Sequence, residues 1–596
     1  MTRLGAALAL TLCCAAAAAQ AQPADLIVHN ARVVTLDAQR AQATAVAVRD
    51  GKFVAVGGDG DVQPLRGAKT QSIDAGGRTL IPGLVDSHLH VTRGGRYYNL
   101  ELRWDGVRSL ARALAMVREQ AARTPKGQWV RVVGGWSPYQ FDEKRMPTVL
   151  ELNQAAPETP TFVLFLYSQA LLNRAAVQAL GLTQATPAPD GGRIEFADGG
   201  AIFHAEPNPL LLYQLVAKPP ALSAEDQLNS TLHFYRELNR LGVTSAVDAG
   251  GGGHAFPQDY AGSQAVVRRG QLPLRISYYL FPQTPGKEAE DFARWTAEYQ
   301  AGHNQDAKLE HGFELEGGGE TLAHSAVDWE NFLAPRPDLD ARKAAGQDPQ
   351  GDLHRVVTLL VQKQWPLRQH ATYGESIARI LDVFEQVKRE QGRFAPRWAI
   401  DHAETVRDAE LRRIQALGGG IAIQNRMAFA GEFFVKRYGR EAARHVPPVR
   451  RMLELGIPVG AGTDGTRVSS YDPWASLYWL VTGKTVGGNQ YFADDNRLTR
   501  EEALRLYTQG SAWFSQEEDV KGRIAPGFLA DFALLSQGYL SVPEERIREM
   551  VSLLTVVGGR VVYAAKPFEK LAPPPLPPVS PAWSPVAHQG GVSRGK

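Results

Sequence analysis

The stretch Leu80-Ile-Pro-Gly-Leu-Val-Asp-Ser-His-Leu-His90 constrains this chain more than any other. An apolar run passes through Pro82-Gly83 and ends in two histidines separated by one residue. On an extended strand, residues i and i+2 face the same side. His88 and His90 can therefore converge on one point at the carboxyl end of a buried strand. Two neutral imidazoles aimed at one point form half of a metal site. The plainer alternative is a pair of solvated polar residues at a strand end.

From Ala224 onward, helical stretches alternate with short strands, the signature of repeated βα units. Strands are expected at Gly242 to Asp248, Leu274 to Leu280, Leu309 to Glu316, Pro366 to His370, Arg397 to His402, Gly420 to Gln424 and Ile457 to Asp464. With Leu84 to His88 they make the eight strands of an α/β fold of the (β/α)8, TIM-like type. Polar residues close nearly all of these strands: His88 and His90, Asp248, Glu314 and Glu316, His370, His402, Gln424 and Asn425, and Asp464. Barrel enzymes carry their chemistry at that end.

The 596 residues are too many for one small core. Residues 22–80 read as short β-strands. Residues 81–518 hold the barrel, with an inserted subdomain at about 91–227. Residues 519–566 return to short β and can pair with the first module in a composite sheet domain. Residues 567–596, rich in Pro, are expected to be a disordered tail. Residues 1–21 read as a signal peptide: Arg3, an apolar run to Ala19, and the small-x-small site Ala19-Gln20-Ala21. Both cysteines, Cys13 and Cys14, fall inside it, so the mature chain would have no disulfide and no thiolate ligand. Export to a bacterial periplasm is the expectation. A lipoprotein anchor fits less well, because Leu12 and Cys13 stand where small residues are required. The net charge of +2 and the lack of a basic, aromatic-interleaved run exclude a nucleic-acid partner, and no other stretch suits a membrane span.

Taken together, these residues resemble the amidohydrolase superfamily, in particular the branch called amidohydrolase family 3. The likeness rests on Ile81 to His90, Leu241-Gly-Val-Thr-Ser-Ala-Val-Asp-Ala-Gly250, the single histidines His370 and His402, Gly462-Thr-Asp464, and Lys521-Gly-Arg-Ile-Ala-Pro-Gly-Phe-Leu-Ala-Asp531. It implies a barrel with a composite β-sandwich and one or two divalent ions, often zinc. By that likeness His88 and His90 would hold a first metal, His370 and His402 a second, and Asp464 would touch the first metal and act as base. Family members often carry a carboxylated lysine on strand 4; here Glu314 stands in its place, making it the bridging candidate and Glu316 the fallback. The alternative is a one-metal site in which Glu314 is structural. A histidine usual in the inserted region is missing from Tyr167-Ser-Gln-Ala-Leu-Leu-Asn173.

Four further residues are candidate substrate contacts: Trp136 and Tyr167 in the aromatic insert, His254 after a run of glycines, and His324 after strand 4. Packing accounts for the aromatics equally well. Asp401 and Glu404 are candidate supports for His402, but read more simply as exposed helix-start residues. Arg467 could meet an anionic substrate group; a surface salt bridge is its simpler reading. The chemistry implied is metal-assisted hydrolysis of a small molecule's non-peptide C–N bond: an amide, formamide, carbamate or cyclic amide. The alternatives are an esterase, lactonase or isomerase on the same site, and a non-catalytic binding protein. Self-association stays open.

Overall fold

Eight parallel strands follow one another in chain order around a nearly closed barrel: β1 (Leu84–Leu89), β2 (Val243–Asp248), β3 (Arg275–Leu280), β4 (Phe313–Gly318), β5 (Leu367–Tyr373), β6 (Trp398–Thr405), β7 (Gly420–Gln424) and β8 (Val459–Gly462). They were traced in a computed structural model that describes residues 22–206, 209–251, 254–302, 312–328 and 346–592. The expected signal peptide with Cys13 and Cys14, and also His303 and His311, lie outside these residues. Most of the strands are buried along their whole length, as a parallel sheet covered by helices requires.

Two seams shape the carboxyl end. Past the last strand, Asp464 N–H donates to the His88 carbonyl (2.8 Å) and His90 N–H donates to the Gly465 carbonyl (3.1 Å), which ties β8 to β1. Gly462 permits this approach, since a Cβ there would sit 2.5 Å from the His88 nitrogen. The other seam lies between β4 and β5, which pair only at Gly318 and Leu367. Beyond it, His370 N–H donates to the Glu320 carbonyl (2.8 Å).

Residues after β1 form the insert. Its six-stranded sheet runs Gly192–Ala197, Gly200–Ala205, Gln169–Leu172, Thr161–Phe165, Val130–Val133 and Glu101–Leu102. Trp136 belongs to the core beneath this sheet. It is 1% exposed, packs on Trp104, Phe141 and Phe165, and donates its indole N–H to the Leu164 carbonyl at 2.9 Å. The expectation that it contacts substrate is corrected: its one polar atom is already satisfied inside the protein.

The two ends of the chain share a second core. One sheet consists of Lys52–Gly57, Ala45–Arg49, Leu26–His29 and Gln71–Asp74. The other interleaves Arg560–Ala564, Ser552–Val557 and Phe532–Leu535 with Thr79–Pro82, Arg32–Val34 and Gln42–Ala43. Phe532 lies opposite Pro82, and Phe53, Ile73, Leu80, Phe532 and Val556 pack together. The strand Thr79–Pro82 leads through Gly83 directly into β1, so sandwich and barrel are joined at the stretch that carries His88 and His90.

The Pro-rich end is not the disordered tail expected from composition. Up to residue 592 it lies against the barrel and the insert. Asn229 Nδ2 donates to the Pro578 carbonyl (2.9 Å), Gln120 Nε2 to the Trp583 carbonyl (2.8 Å), and Ser584 Oγ to the Asn99 carbonyl (2.6 Å). Fixed proline φ angles make such a segment cheap to order once side chains meet its carbonyls. No helix among the described residues is long and apolar enough to cross a membrane.

Candidate active site

At the carboxyl end of the barrel the structure brings together His88 and His90 from β1, His370 from β5, His402 from β6, Asp464 just past β8, and Glu320 just past β4. Three overlapping groups each have their ligand atoms within 4.8 Å of one another: His88, His90 and Glu320; His88, His402 and Asp464; Glu320, His370 and His402. Glu320 is common to two of them. Its carboxylate lies 3.5 Å from His88 Nε2, 3.7 Å from His90 Nε2, 3.4 Å from His370 Nδ1 and 3.2 Å from His402 Nε2. Asp464 reaches His90 Nε2 at 3.0 Å and His88 Nε2 at 3.8 Å.

Glu314 is not part of this cluster, and the expectation that it bridges two metals is corrected. It is the second residue of β4, at the amino end, and half-buried. The carboxylate that meets the histidines comes six positions later. The fallback, Glu316, is also displaced. It lies inside the barrel, accepts a hydrogen bond from Gln516 Nε2 (2.6 Å), and burial pushes its carboxyl up to about 8. What sequence reading missed is that β4 runs on through Gly317 and Gly318, so the first side chain able to reach the opening belongs to Glu320. The glycine triplet before that glutamate was the available signal.

The imidazoles are oriented from behind. His88 Nδ1 faces Asp401 Oδ1 at 3.3 Å, and Asp401 is fully buried and paired with Arg368. His90 Nδ1 donates to the Gly250 carbonyl at 2.6 Å. Both histidines therefore turn Nε2 toward the centre. Asp401 supports His88, across the barrel from the neighbour it has in sequence, and is not an exposed helix-start residue. Glu404 is buried as well, 3.4 Å from Arg426.

The electrostatics follow from burial and mutual proximity. Burial raises the carboxyls of Glu320 and Asp464, but the histidines around them outweigh it and hold both well below the usual carboxylate range. Burial, with His370 and Arg426 adding to it, drives His402 down to about 3, so that its imidazole is neutral. Two buried ring nitrogens, His88 Nε2 and His402 Nδ1, have no hydrogen-bond partner. Imidazole nitrogens gathered round two ionised carboxylates form the donor set of a divalent metal such as zinc, manganese, iron or cobalt, which on binding would displace ring protons that the carboxylates favour on His88 and His370.

The other candidate contacts separate. His254 is 4% exposed, with Nε2 3.3 Å from the Tyr260 hydroxyl, and its charge environment includes His90. Tyr167 is half-buried and stacks on Tyr213 at 4.7 Å. His324 is engaged elsewhere, with Nε2 3.0 Å from the Pro282 carbonyl, its N–H on Glu288 and its ring edge on Phe281.

With this geometry in view, comparison with known proteins is decisive about kinship. The amidohydrolase-family profile matches residues 71–563. The chain belongs to the amidohydrolase family. Its membership makes it a metal-dependent hydrolase, the class that acts on C–N bonds other than peptide bonds. The N-substituted formamide deformylase of Arthrobacter pascens is 25% identical over 564 residues, 91% of this chain and 99% of that protein. The protein LONG AFTER FAR-RED 3 of Arabidopsis thaliana is 23% identical over 566 residues, covering 91% and 92%. An uncharacterized metal-dependent hydrolase from Pyrococcus horikoshii has the same fold, with a TM-score of 0.60, 21% identity, and coverage of 87% of this chain and 99% of that one. Among amidohydrolases, then, this chain combines the barrel with a sandwich built from its two ends.

Proposed function

We propose that the protein hydrolyses an amide-type C–N bond of a small molecule, with formamides first among the candidates, and that the four histidines, Glu320 and Asp464 would hold a pair of divalent ions, zinc by donor preference. The observation that carries this reading is the position of Glu320 between His88 and His90 on one side and His370 and His402 on the other. His88 and His90 would hold one ion and His370 and His402 the other, with Asp464 beside the first. A divalent ion there would lower the pKa of a water from about 16 to about 7 and polarise the substrate carbonyl.

The protein's own groups then have defined tasks. Asp464 is ionised, so its carboxylate can take a proton from the attacking water and deliver it to the departing nitrogen. Asp401 and Arg368, both at 3.3 Å from His88 Nδ1, and the Gly250 carbonyl, at 2.6 Å from His90 Nδ1, keep the two imidazoles oriented. The formamide preference draws support from the deformylase relative. We further propose that residues 1–21 direct export; cleavage near Gln22, read by mass spectrometry of the secreted chain, tests this.

Metal content decides the central claim. Elemental analysis of wild type should find a pair of ions, Glu320→Gln should lose at least one of them, and Glu314→Ala should keep both. Loss of metal in Glu314→Ala with retention in Glu320→Gln would reverse the assignment. Wild type that takes up no zinc or manganese would end the hydrolase reading for this site. Turnover of an N-substituted formamide and of the matching ester, by the metal-loaded protein, separates amide from ester chemistry.

A further inference from the structure

Arg467 follows Asp464 by three residues, in the loop after β8. It is not the surface salt bridge its sequence context suggests. Its side chain is 3% exposed, and its Nε and Nη1 have no hydrogen-bond partner. Among the described residues no carboxylate forms an ion pair with it. Its guanidinium carbon lies 5.7 Å from the ring centroid of Tyr97 and 5.4 Å from that of Tyr213. A guanidinium is always charged, and a buried charge without a counter-ion is costly. The acids in this part of the molecule bond to another arginine: Glu101 and Asp105 pair with Arg103 at 3.2 Å and 3.0 Å, and Glu101 acts on Arg467 only through space, without a hydrogen bond.

The loop is held in place. Arg103 Nη1 donates to the Thr466 carbonyl at 2.9 Å, and Gly134, with φ +63°, lies where a Cβ would overlap the Arg467 carbonyl. A second arginine converges from the other seam. Arg93, on the helix Val91–Tyr97 that starts directly after His90, is buried; its charge reaches Asp464 and Glu320 on one side and Tyr167 and Tyr213 on the other. Tyr97, Tyr167 and Tyr213 are half-buried, and the rings of Tyr97 and Tyr213 carry the Arg467 guanidinium within the loop that leaves the barrel three residues past Asp464.

We propose that Arg467 is a specificity-determining subsite for a carboxylate carried by the substrate, with an aromatic or flat apolar part of the substrate resting on the Tyr97 and Tyr213 rings. This rests on the hydrolase reading above and deepens it. The reacting bond lies at Glu320 and Asp464, and the anion is read beside it. Arginine suits the task because its rigid fork meets a carboxylate at two points.

The test compares formanilide with the three formamidobenzoates, which add only a carboxylate, on metal-loaded wild type, Arg467→Gln and Arg467→Lys. The readout is kcat/KM for compounds that turn over and the calorimetric Kd for those that do not. The wild type should favour the best carboxylate isomer by at least about tenfold, the scale of a hydrogen bond to a charged group. The preference should fall to about one in Arg467→Gln and survive in part in Arg467→Lys. A carboxylate held by the metal instead would keep its advantage in Arg467→Gln. That result, a wild type with no preference, or one that binds no carboxylate isomer, overturns the proposal. Metal content and melting temperature of each variant identify a folding failure, in which case the Arg467→Lys ratio decides. Absence of turnover with an Arg467-dependent Kd preference removes the formamide reading and leaves the subsite standing.

Discussion

His88 shows how a single side chain is put to work by residues far away in sequence. Its Nδ1 lies 3.3 Å from Arg368 Nη2 and 3.3 Å from the Asp401 carboxylate, which is itself paired with Arg368 two strand-ladder positions from His370. Removing that carboxylate without changing its size leaves the imidazole free to rotate and to change tautomer. Asp401→Asn should therefore weaken metal affinity about 10- to 100-fold, measured by competition with a chelator, while the apo protein keeps its circular dichroism spectrum. Unchanged affinity would show that β1 alone orients His88. At Asp464 the expected result differs. Asp464→Asn keeps the carbonyl oxygen, so the chemical step should slow about 10²- to 10⁴-fold, with retention of any metal that Glu320, His370 and His402 would hold. Turnover at the wild-type rate would remove Asp464 from the proton transfer.

At the scale of the element, β4 is the informative strand. Its glutamates serve three environments along one short run: Glu314 half-buried at the amino end, Glu316 enclosed in the barrel, and Glu320 beyond the carboxyl end among histidines. Burial pushes the Glu316 carboxyl up to about 8, against an ordinary value of 4.5. The folded chain thus keeps a proton that the unfolded chain releases at lower pH. The stability from holding it is complete below about pH 4.5 and is lost as pH rises through about 8. Glu316→Gln preserves the acceptor for Gln516 and cannot ionise. Melting curves of the two proteins should run together near pH 5, and the variant should become the more stable by pH 8. Parallel curves across that range would mean that Glu316 titrates normally.

For the whole molecule, the sandwich and barrel are joined by more than the continuous strand through Gly83. Asp531 pairs with Arg275 at the start of β3, at 2.8 Å with both side chains buried, and also accepts the Gly558 N–H at 2.7 Å. This gives the Gly-Phe-Leu-Ala-Asp segment a structural task. Asp531→Ala removes the carboxylate that Arg275 and the Gly558 N–H bond, and breaking a buried pair in this way costs about 3–5 kcal/mol. Calorimetry should show a lower melting temperature, with the sandwich released first. A change under about 0.5 kcal/mol, the range of ordinary surface substitutions, would show that the pair is solvated.

How much of this was legible beforehand depended on whether the governing interaction was local. The barrel, the sandwich from two chain ends, and the positions of His88, His90, His370, His402 and Asp464 were readable, because strand periodicity and strand-end polarity are properties of neighbouring residues. Glu320 was not, because only the pairing of β4 with its neighbours determines where that strand ends. A shift along a strand moves every side chain that follows. Trp136, Asp401, Arg467 and the Pro-rich end were misread for the same reason. Burial is decided by what the rest of the chain brings alongside, and whether an arginine has a partner, or a proline segment a surface to lie on, is settled only when distant elements pack. Sequence alone determined the architecture and the kind of chemistry; tertiary structure decided which carboxylate joins the histidines and which charge is left to meet a ligand.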